Sequence, residues 1–330
     1  MAESIRTTNE LTPQNQPVLG ARVVFDIPRT ADLENIFVLF TGTVNVTTAA
    51  TALIRDGILE LINGVELLAN GGRDNLISAP FSTLAQGNFA RRKNGSFPQI
   101  AQPALGIGAN TFSVGMTIDL ASFGTLRPKD TNVRSGNYES LQLAFRFGGD
   151  LSAVFVGGVF GATVLNLSVA VHETVELADA NGKFSNPVGR VLRTSQDVII
   201  AGASNKVQLK LTPGQALRGV VLKVTTNAVP PVFSNTLLTR VRLNVGKVNR
   251  LDKAGTIVTA QQIHRAGSTP TGYYFLDFAD RNGSVDYLTD SIDLDPQTTS
   301  GSDSILEFDC SGACVISVMQ DGYIPIANGR

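Results

Sequence analysis

The sequence predicts an all-β protein made of two tandem eight-stranded jelly-roll sandwiches with short helical excursions. Three observations carry that prediction. Apolar and polar residues alternate at period two through one segment after another, the spacing of strands with a single buried face. Six Asn-Gly pairs, beginning at Asn63, Asn70, Asn94, Asn181, Asn282 and Asn328, supply residues that tolerate positive φ in tight hairpin turns. A pattern in residues 33–86 returns, degraded, about 182 residues later, too long a period for a solenoid and so a sign of duplicated domains.

The elements follow in order. Residues 1–18 are polar, contain Pro13 and Pro17 and show neither periodicity, which predicts an N-terminal arm, disordered or draped over neighbouring subunits. A strand at 20–27 opens the first domain. The strand at 36–46 places Ile36, Val38, Phe40, Val44 and Val46 on one face. A second strand is expected at 58–68, broken by Asn70-Gly71-Gly72, and a short helix after it, with Asp74 as N-cap and Leu76, Ile77, Phe81 and Leu84 near helical spacing. Residues 89–108 read as a loop. Its Arg91-Arg92-Lys93 is a solvated turn or, more sharply, an inward contact to genome or lipid phosphates.

Alternation then resumes with Phe112, Val114, Met116, Ile118 and Leu120, again with Leu141, Leu143, Phe145 and Phe147, and again with Leu165, Leu167, Val169, Val171 and Val175. These are half-buried antiparallel strands. The apolar run 153–165 is too short to span a bilayer and is interrupted by Gly157, Gly158 and Gly161, so it reads as two strands meeting at a turn. The expected division is 1–18 arm, 19–180 first jelly roll, 181–188 linker and 189–330 second jelly roll. In the second half, 217–224 repeats the first central strand and 240–248 its partner, with Gly246 where Gly64 fell. Ala254-Gly255 stands for Gly71-Gly72, and 257–265 for the helix. Residues 273–278 are strand-like, 284–301 form an acidic loop, and Leu306 to Val318 reads as a terminal hairpin. About eight strands per half, without alternating long helices, suit jelly rolls.

Composition narrows the function. Hydrophobic residues are 43% and charged residues only 17% of the chain, below the ~25% usual for soluble domains, which predicts surface covered by other subunits. A formal net charge of −1 gives no general attraction to nucleic acid. The start Met-Ala-Glu-Ser-Ile-Arg is polar and precedes no apolar stretch, so no signal peptide is expected and synthesis in the cytosol is.

Chemistry has little foothold. Two histidines, His172 and His264, lie far apart in sequence, too few for a cupin-type metal cluster. Cys310 and Cys314 share strand parity across a turn and read as two buried thiols, or alternatively a terminal disulfide; two cysteines alone cannot close a zinc site. Asp286, Asp290, Asp293 and Asp295 lack EF-hand spacing and read as an exposed acidic loop. Gly106-Ile107-Gly108 precedes a strand and carries no nucleotide signal, and no Gly-x-Ser-x-Gly elbow occurs. No catalytic, cofactor-binding or metal residue is therefore assigned, and no cofactor is expected.

The strand 36–46 with Thr41-Gly42-Thr43, then Asp56-Gly57, then 58–68 with Asn63-Gly64, and the return of this order in the second half, resemble one family. It is the double jelly-roll major capsid proteins of tailless icosahedral viruses, the lineage of adenovirus hexon and the coats of tectiviruses, corticoviruses and finnlakeviruses. The resemblance implies a non-enzymatic structural protein of the virion capsid, made in the host cytoplasm, with a bacteriophage among the hosts' viruses it would fit. It implies homotrimers, pseudo-hexagonal because two jelly rolls per chain give six sandwiches, tiling an icosahedral shell that commonly encloses a membrane. Implied partners are the chain itself, neighbouring capsomers, penton and minor capsid proteins and an inner membrane surface, without specific nucleic-acid binding. In that setting the arm is expected at the inner base of the capsomer, since Glu3 and Glu10 outweigh Arg6. The competing readings are a receptor- or carbohydrate-binding β-sandwich, disfavoured by zero Trp and five Tyr, and an enzyme on a jelly-roll scaffold.

Overall fold

The structure, a computed structural model, describes residues 4–48, 52–53, 57–91, 105–120, 132–176, 189–229, 231–266, 269–278, 292–294 and 303–325. The first half runs β1 (Ser4–Leu11), β2 (Arg22–Asp26), β3 (Asp32–Val46), the short β4 (Ala52–Leu53), one helical turn α1 (Gly57–Glu60), β5 (Ile62–Ala69), β6 (Asp74–Ala79) and α2 (Phe81–Arg91). It continues through β7 (Gly108–Asp119), β8 (Val133–Arg134), β9 (Leu141–Phe147), β10 (Phe155–Val156) and β11 (Phe160–Glu176). The second half runs β12 (Gly189–Ile200), β13 (Ser204–Lys210), β14 (Ala216–Thr225), β15 (Leu238–Val245), β16 (Val248–Ala254), α3 (Gly255–Ala266), β17 (Tyr273–Asp277), β18 (Ile292–Asp293), β19 (Ser304–Cys310) and β20 (Cys314–Pro325).

Pairing of these strands gives the same topology twice. In the first half the sheet β1-β11-β3-β7 faces the strands β6-β5-β9-β2; in the second, β12-β20-β14-β17 faces β13-β19-β15-β16. Each set is the four-plus-four arrangement of a jelly roll. The apolar alternation read from the sequence supplies the inner faces: Ile36, Val38, Phe40, Val44 and Val46 are all buried, and the Phe40 ring meets Phe112 of its own sheet at 4.9 Å and Phe147 of the facing sheet at 5.8 Å. Gly42 continues that inner row because a Cβ there would come within 2.4 Å of the Val164 carbonyl and 2.7 Å of the Phe112 ring. Leu306, Phe308, Cys310, Cys314, Ile316 and Val318 line the second core as the terminal hairpin.

Several expectations are corrected. Residues 58–68 do not form one strand: Ile58, Leu59, Leu61 and Ile62, on either side of the half-buried Glu60, are all fully buried, a pattern that one helical turn can bury whereas a strand would turn half of it outward. The helix expected from Asp74 begins instead at Phe81. Asn70, Gly71 and Gly72, all at positive φ, make a tight turn that sends 74–79 back along β5 as a strand, and Pro80, which cannot donate to a ladder, ends it and accepts the Leu84 N–H as the helix starts. Arg91 ends this helix rather than lying in a loop; Arg92 and Lys93 lie outside the described residues.

The arm expected at 1–18 is also revised. Residues 4–11 are a full edge strand, pairing Ser4 with Glu176 through Leu11 with Val169. The signal was invisible because this edge strand is exposed through most of its length and needs no apolar alternation. Its anchors are polar: Asn9 donates to the buried Glu173 carboxylate, and Thr8 Oγ1 lies 3.0 Å from His172 Nδ1. The repeat holds with a different register. β5 begins at 62 and β15 at 238, so Gly246 (φ 60) falls in the turn at Asn70-Gly71 (φ 54 and 67) rather than at Gly64, and Ala254-Gly255 sits at the strand-to-helix boundary, like Ala79-Pro80. The linker 181–188 lies outside the described residues.

Candidate assembly surfaces

The two jelly rolls are joined edge to edge. β6 pairs with β12 in parallel, Ile77 with Arg193 and Ser78 with Thr194, so that one nine-stranded sheet crosses both halves, with β18 attached to β14 off its main path. The joint is reinforced by α2. One side of the helix serves the first core, where Phe81 meets Phe145 at 6.3 Å, and its opposite side rests on the outward face of the second half's sheet. The approach is close at Gly87, where a Cβ would stand 3.0 Å from the Met319 methyl and 3.2 Å from Val221. In consequence all ten residues of β14 are buried, because one face looks into its own core and the other is covered by its neighbour.

The charged groups in the joint are paired. Arg193 and Asp321, 1% and 0% exposed, form a 2.8 Å ion pair, and Arg218 approaches the same carboxylate at 3.3 Å. Lys223 on β14 reaches both carboxylate oxygens of Glu60 on α1, at 3.0 and 2.9 Å. Phe233 stacks on Tyr273 at 5.6 Å. The first hydrophobic core thus takes in Val191, Val221, Phe233, Tyr273 and Met319 from the second half. Alternation in the sequence does not disclose this, because a strand buried on both faces loses the pattern that marks which core it serves.

The residues singled out for chemistry do not converge. His172 is on β11 and the exposed His264 on α3. Cys310 and Cys314 are buried free thiols flanking the terminal hairpin turn, and burial, with the neighbouring sulfur, pushes the Cys310 thiol up to about 12, the opposite of a reactive thiolate. Asp293 lies on β18, while Asp286, Asp290 and Asp295 are outside the described residues. Among the described residues no group of three His, Cys, Asp or Glu could hold a metal ion, and no helix is long and apolar enough to cross a membrane. A cleft of about 790 Å³ does lie between the halves, with Glu60, Asn63 and Asp150 on one side and Asp197, Lys223 and Val229 on the other. Of its charged lining residues, Glu60 and Lys223 pair with each other across the halves, and Asp150 accepts hydrogen bonds from Ser152.

Against solved structures, this two-sandwich arrangement has counterparts along nearly its whole length. The crystal structure of the STIV MCP, STIV being Sulfolobus Turreted Icosahedral Virus, matches with a TM-score of 0.69 at 16% identity, over 98% of this chain and 97% of that one. The chain has a double jelly-roll capsid-protein fold. The major capsid protein of bacteriophage PM2 matches with a TM-score of 0.63 at 10% identity, over 98% and 99% of the two chains. The Faustovirus major capsid protein matches at 0.61 and 9%, over 99% and 91%. No protein-family model matches the chain, and no curated protein does. At these identities the likeness establishes the fold, as composition, alternation and the internal repeat had led us to expect.

Proposed function

We propose that the chain is a structural major capsid protein, which assembles with copies of itself into pseudo-hexagonal trimeric capsomers of an icosahedral virion. The observation that carries this reading is the end-to-end correspondence with viral coat proteins: 98% of this chain against 97% of the STIV MCP and 99% of the PM2 protein, with no part left over for another task. The low charged fraction of 17% and the apolar side chains left on outer faces support a surface meant to be covered. In this reading the structural repeats are the two jelly rolls, the first extending through residue 180 and the second from 189, joined by 181–188. Its partners are neighbouring capsomers, penton and minor capsid proteins and the surface of an inner membrane, its place is the virion, and it performs no catalysis.

The test is the native mass of the purified full-length chain, followed by electron microscopy of the particles it comes from. A species of three times the 34.9 kDa chain, stable on dilution, is expected. A monomer persisting at micromolar concentration overturns the capsomer reading and returns the binding-sandwich alternative, because obligate interfaces often bury more than about 2,000 Å² and do not dissociate at that concentration.

A further inference from the structure

The cleft between the halves stands where a strand is missing from the shared sheet. There β6 lies between β12 and β5, yet it pairs with β12 only at Arg193 and Thr194, and with β5 only as far as Val65, which faces Ala79. Pro80 then takes the chain out of the sheet into α2. Its two neighbours run on. β12 continues to Ile200 with β20 along one edge, and β5 begins at Ile62 with β9 along one edge. Among the described residues no strand covers the other edge of β12 after Thr194 or that of β5 before Val65. Strands two places apart in a sheet stand about 10 Å from each other, the room that one strand fills. The cleft has Leu61 and Asn63 on one side and Asp197 and Ile199 on the other, so it coincides with that gap.

The lining of the gap defines what can fill it. Ile199 is 74% exposed, with its cross-strand partner Val315 beside it, and Val229, 87% exposed, joins them from the loop between β14 and β15. Of the charges, Lys223 is bound to Glu60, which leaves the lining two further carboxylates, Asp150 and Asp197, and no second cation among the described residues. Ser152 donates to Asp150 through its N–H and its hydroxyl, and these bonds hold that carboxyl below the ordinary carboxylate range. A volume of about 790 Å³ is that of a preformed ligand site. Open backbone edges, an apolar floor and two carboxylates together select an extended peptide with a Lys or Arg beside apolar side chains. A small apolar molecule would leave the edges and the carboxylates unused, and an acidic peptide would be repelled.

We propose that the cleft receives an extended segment of a partner polypeptide, which enters the sheet between β12 and β5 in the place that β6 vacates and sets apolar and cationic side chains over Ile199 and beside Asp197 and Asp150. Backbone hydrogen bonds to the free edge of β12 within residues 195–200 supply affinity, and the side chains lining the cleft supply selectivity. Asp197 and Ile199 are two residues apart, so both meet the same face of the added strand. The inference goes beyond the capsomer reading and does not depend on it, because the cleft is formed within one chain.

The probe is the peptide acetyl-Thr-Lys-Thr-Ile-Thr-Val-Thr-amide, which puts its Lys, Ile and Val on one face of a strand. Titrated calorimetrically into the full-length protein, it is expected to bind saturably, one peptide to each chain. Backbone amides within residues 195–200 should exchange about tenfold more slowly in the complex, with those of β1 and β16 unchanged. Exchanging the Lys of the probe for Glu should weaken binding about tenfold, and D197K, whose fold is checked by circular dichroism, should reverse that preference. Methylating every backbone nitrogen of the probe should abolish binding, which separates strand addition from apolar contact alone. Absence of binding, indifference to the Lys-to-Glu exchange, protection at β1 or β16 instead, or amides of 195–200 that are all protected in the protein alone would each overturn the inference. None of these outcomes alters the native mass on which the capsomer reading is tested.

Discussion

A single buried carboxylate decides how the N-terminal strand is held. Glu173 on β11 is 1% exposed, and its burial raises its pKa above the ordinary carboxylate range, opposed in part by the Asn9 amide that donates to it. A carboxyl whose folded-state pKa is raised binds protons more readily folded than unfolded, so its stability contribution is greatest at acid pH and is lost as pH rises through the folded value. Asn9→Leu removes a donor to the ionised form and pushes the pKa further up. The variant is expected to lose about 1–3 kcal/mol at neutral pH. The deficit should shrink as pH falls through the raised folded-state value and vanish below the ordinary carboxylate range, where Glu173 is protonated in both states. Urea unfolding of both proteins across that range checks it; a deficit independent of pH would mean that Asn9 acts through packing alone.

At the scale of elements, exposure to a neighbour separates strands that the topology makes equivalent. β14 and β3 occupy the same position in their sandwiches, but β14 is buried on both faces and β3 on one. Amide exchange in the isolated chain is therefore expected to be slowest in β14 and its partner β20, and fastest in the edge strands β1 and β16, since local opening follows how much surrounds an element. Exchange mass spectrometry resolved to single strands measures it; edge amides as slow as those of β14 would show these edges to be already paired. The same contrast explains what the sequence disclosed. β3, β7, β9 and β11 were legible because one face is buried and the other wet, which writes period two into the chain. A helix after the central strands was legible in both halves, but the strand directly before it, β6 in the first and β16 in the second, was not. The turn-to-turn register of the repeat was not, because Gly64 and Gly71 are equally good anchors until the positive φ of Gly71 is seen. β6 was misread as helix since Leu76 and Ile77 are adjacent and both buried, where a strand joined at its edge is covered on both faces. The joint and the cleft beside it were the least legible, since both are made of residues far apart in the chain.

In the whole molecule the joint makes two sandwiches into one cooperative body. The first core includes five side chains of the second half, and the second half's β14 has no exposed residue once α2 covers it. Separating the halves would expose that apolar surface and the Arg193–Asp321 pair together. Asp321 is the group on which the joint's charge balance turns, for it faces Arg193 at 2.8 Å and Arg218 at 3.3 Å with no exposure of its own. Removing one partner of a buried ion pair costs about 3–5 kcal/mol, because the charge left behind is neither solvated nor paired. D321A leaves two guanidinium groups in that position, so it should destabilise the chain by at least that order. Replacing the close pair together, Arg193→Met with Asp321→Leu, removes one of the two guanidinium groups but leaves the buried Arg218 without this carboxylate, so it should recover only part of the loss. Scanning calorimetry distinguishes the consequences. The wild type should melt in a single transition with equal calorimetric and van't Hoff enthalpies, and D321A should melt earlier with the two enthalpies drawn apart as the halves uncouple. A D321A protein that melts later than wild type, or a wild type that already melts in two steps, would show that the sandwiches stand independently and that the edge-to-edge joint contributes little to holding the chain together.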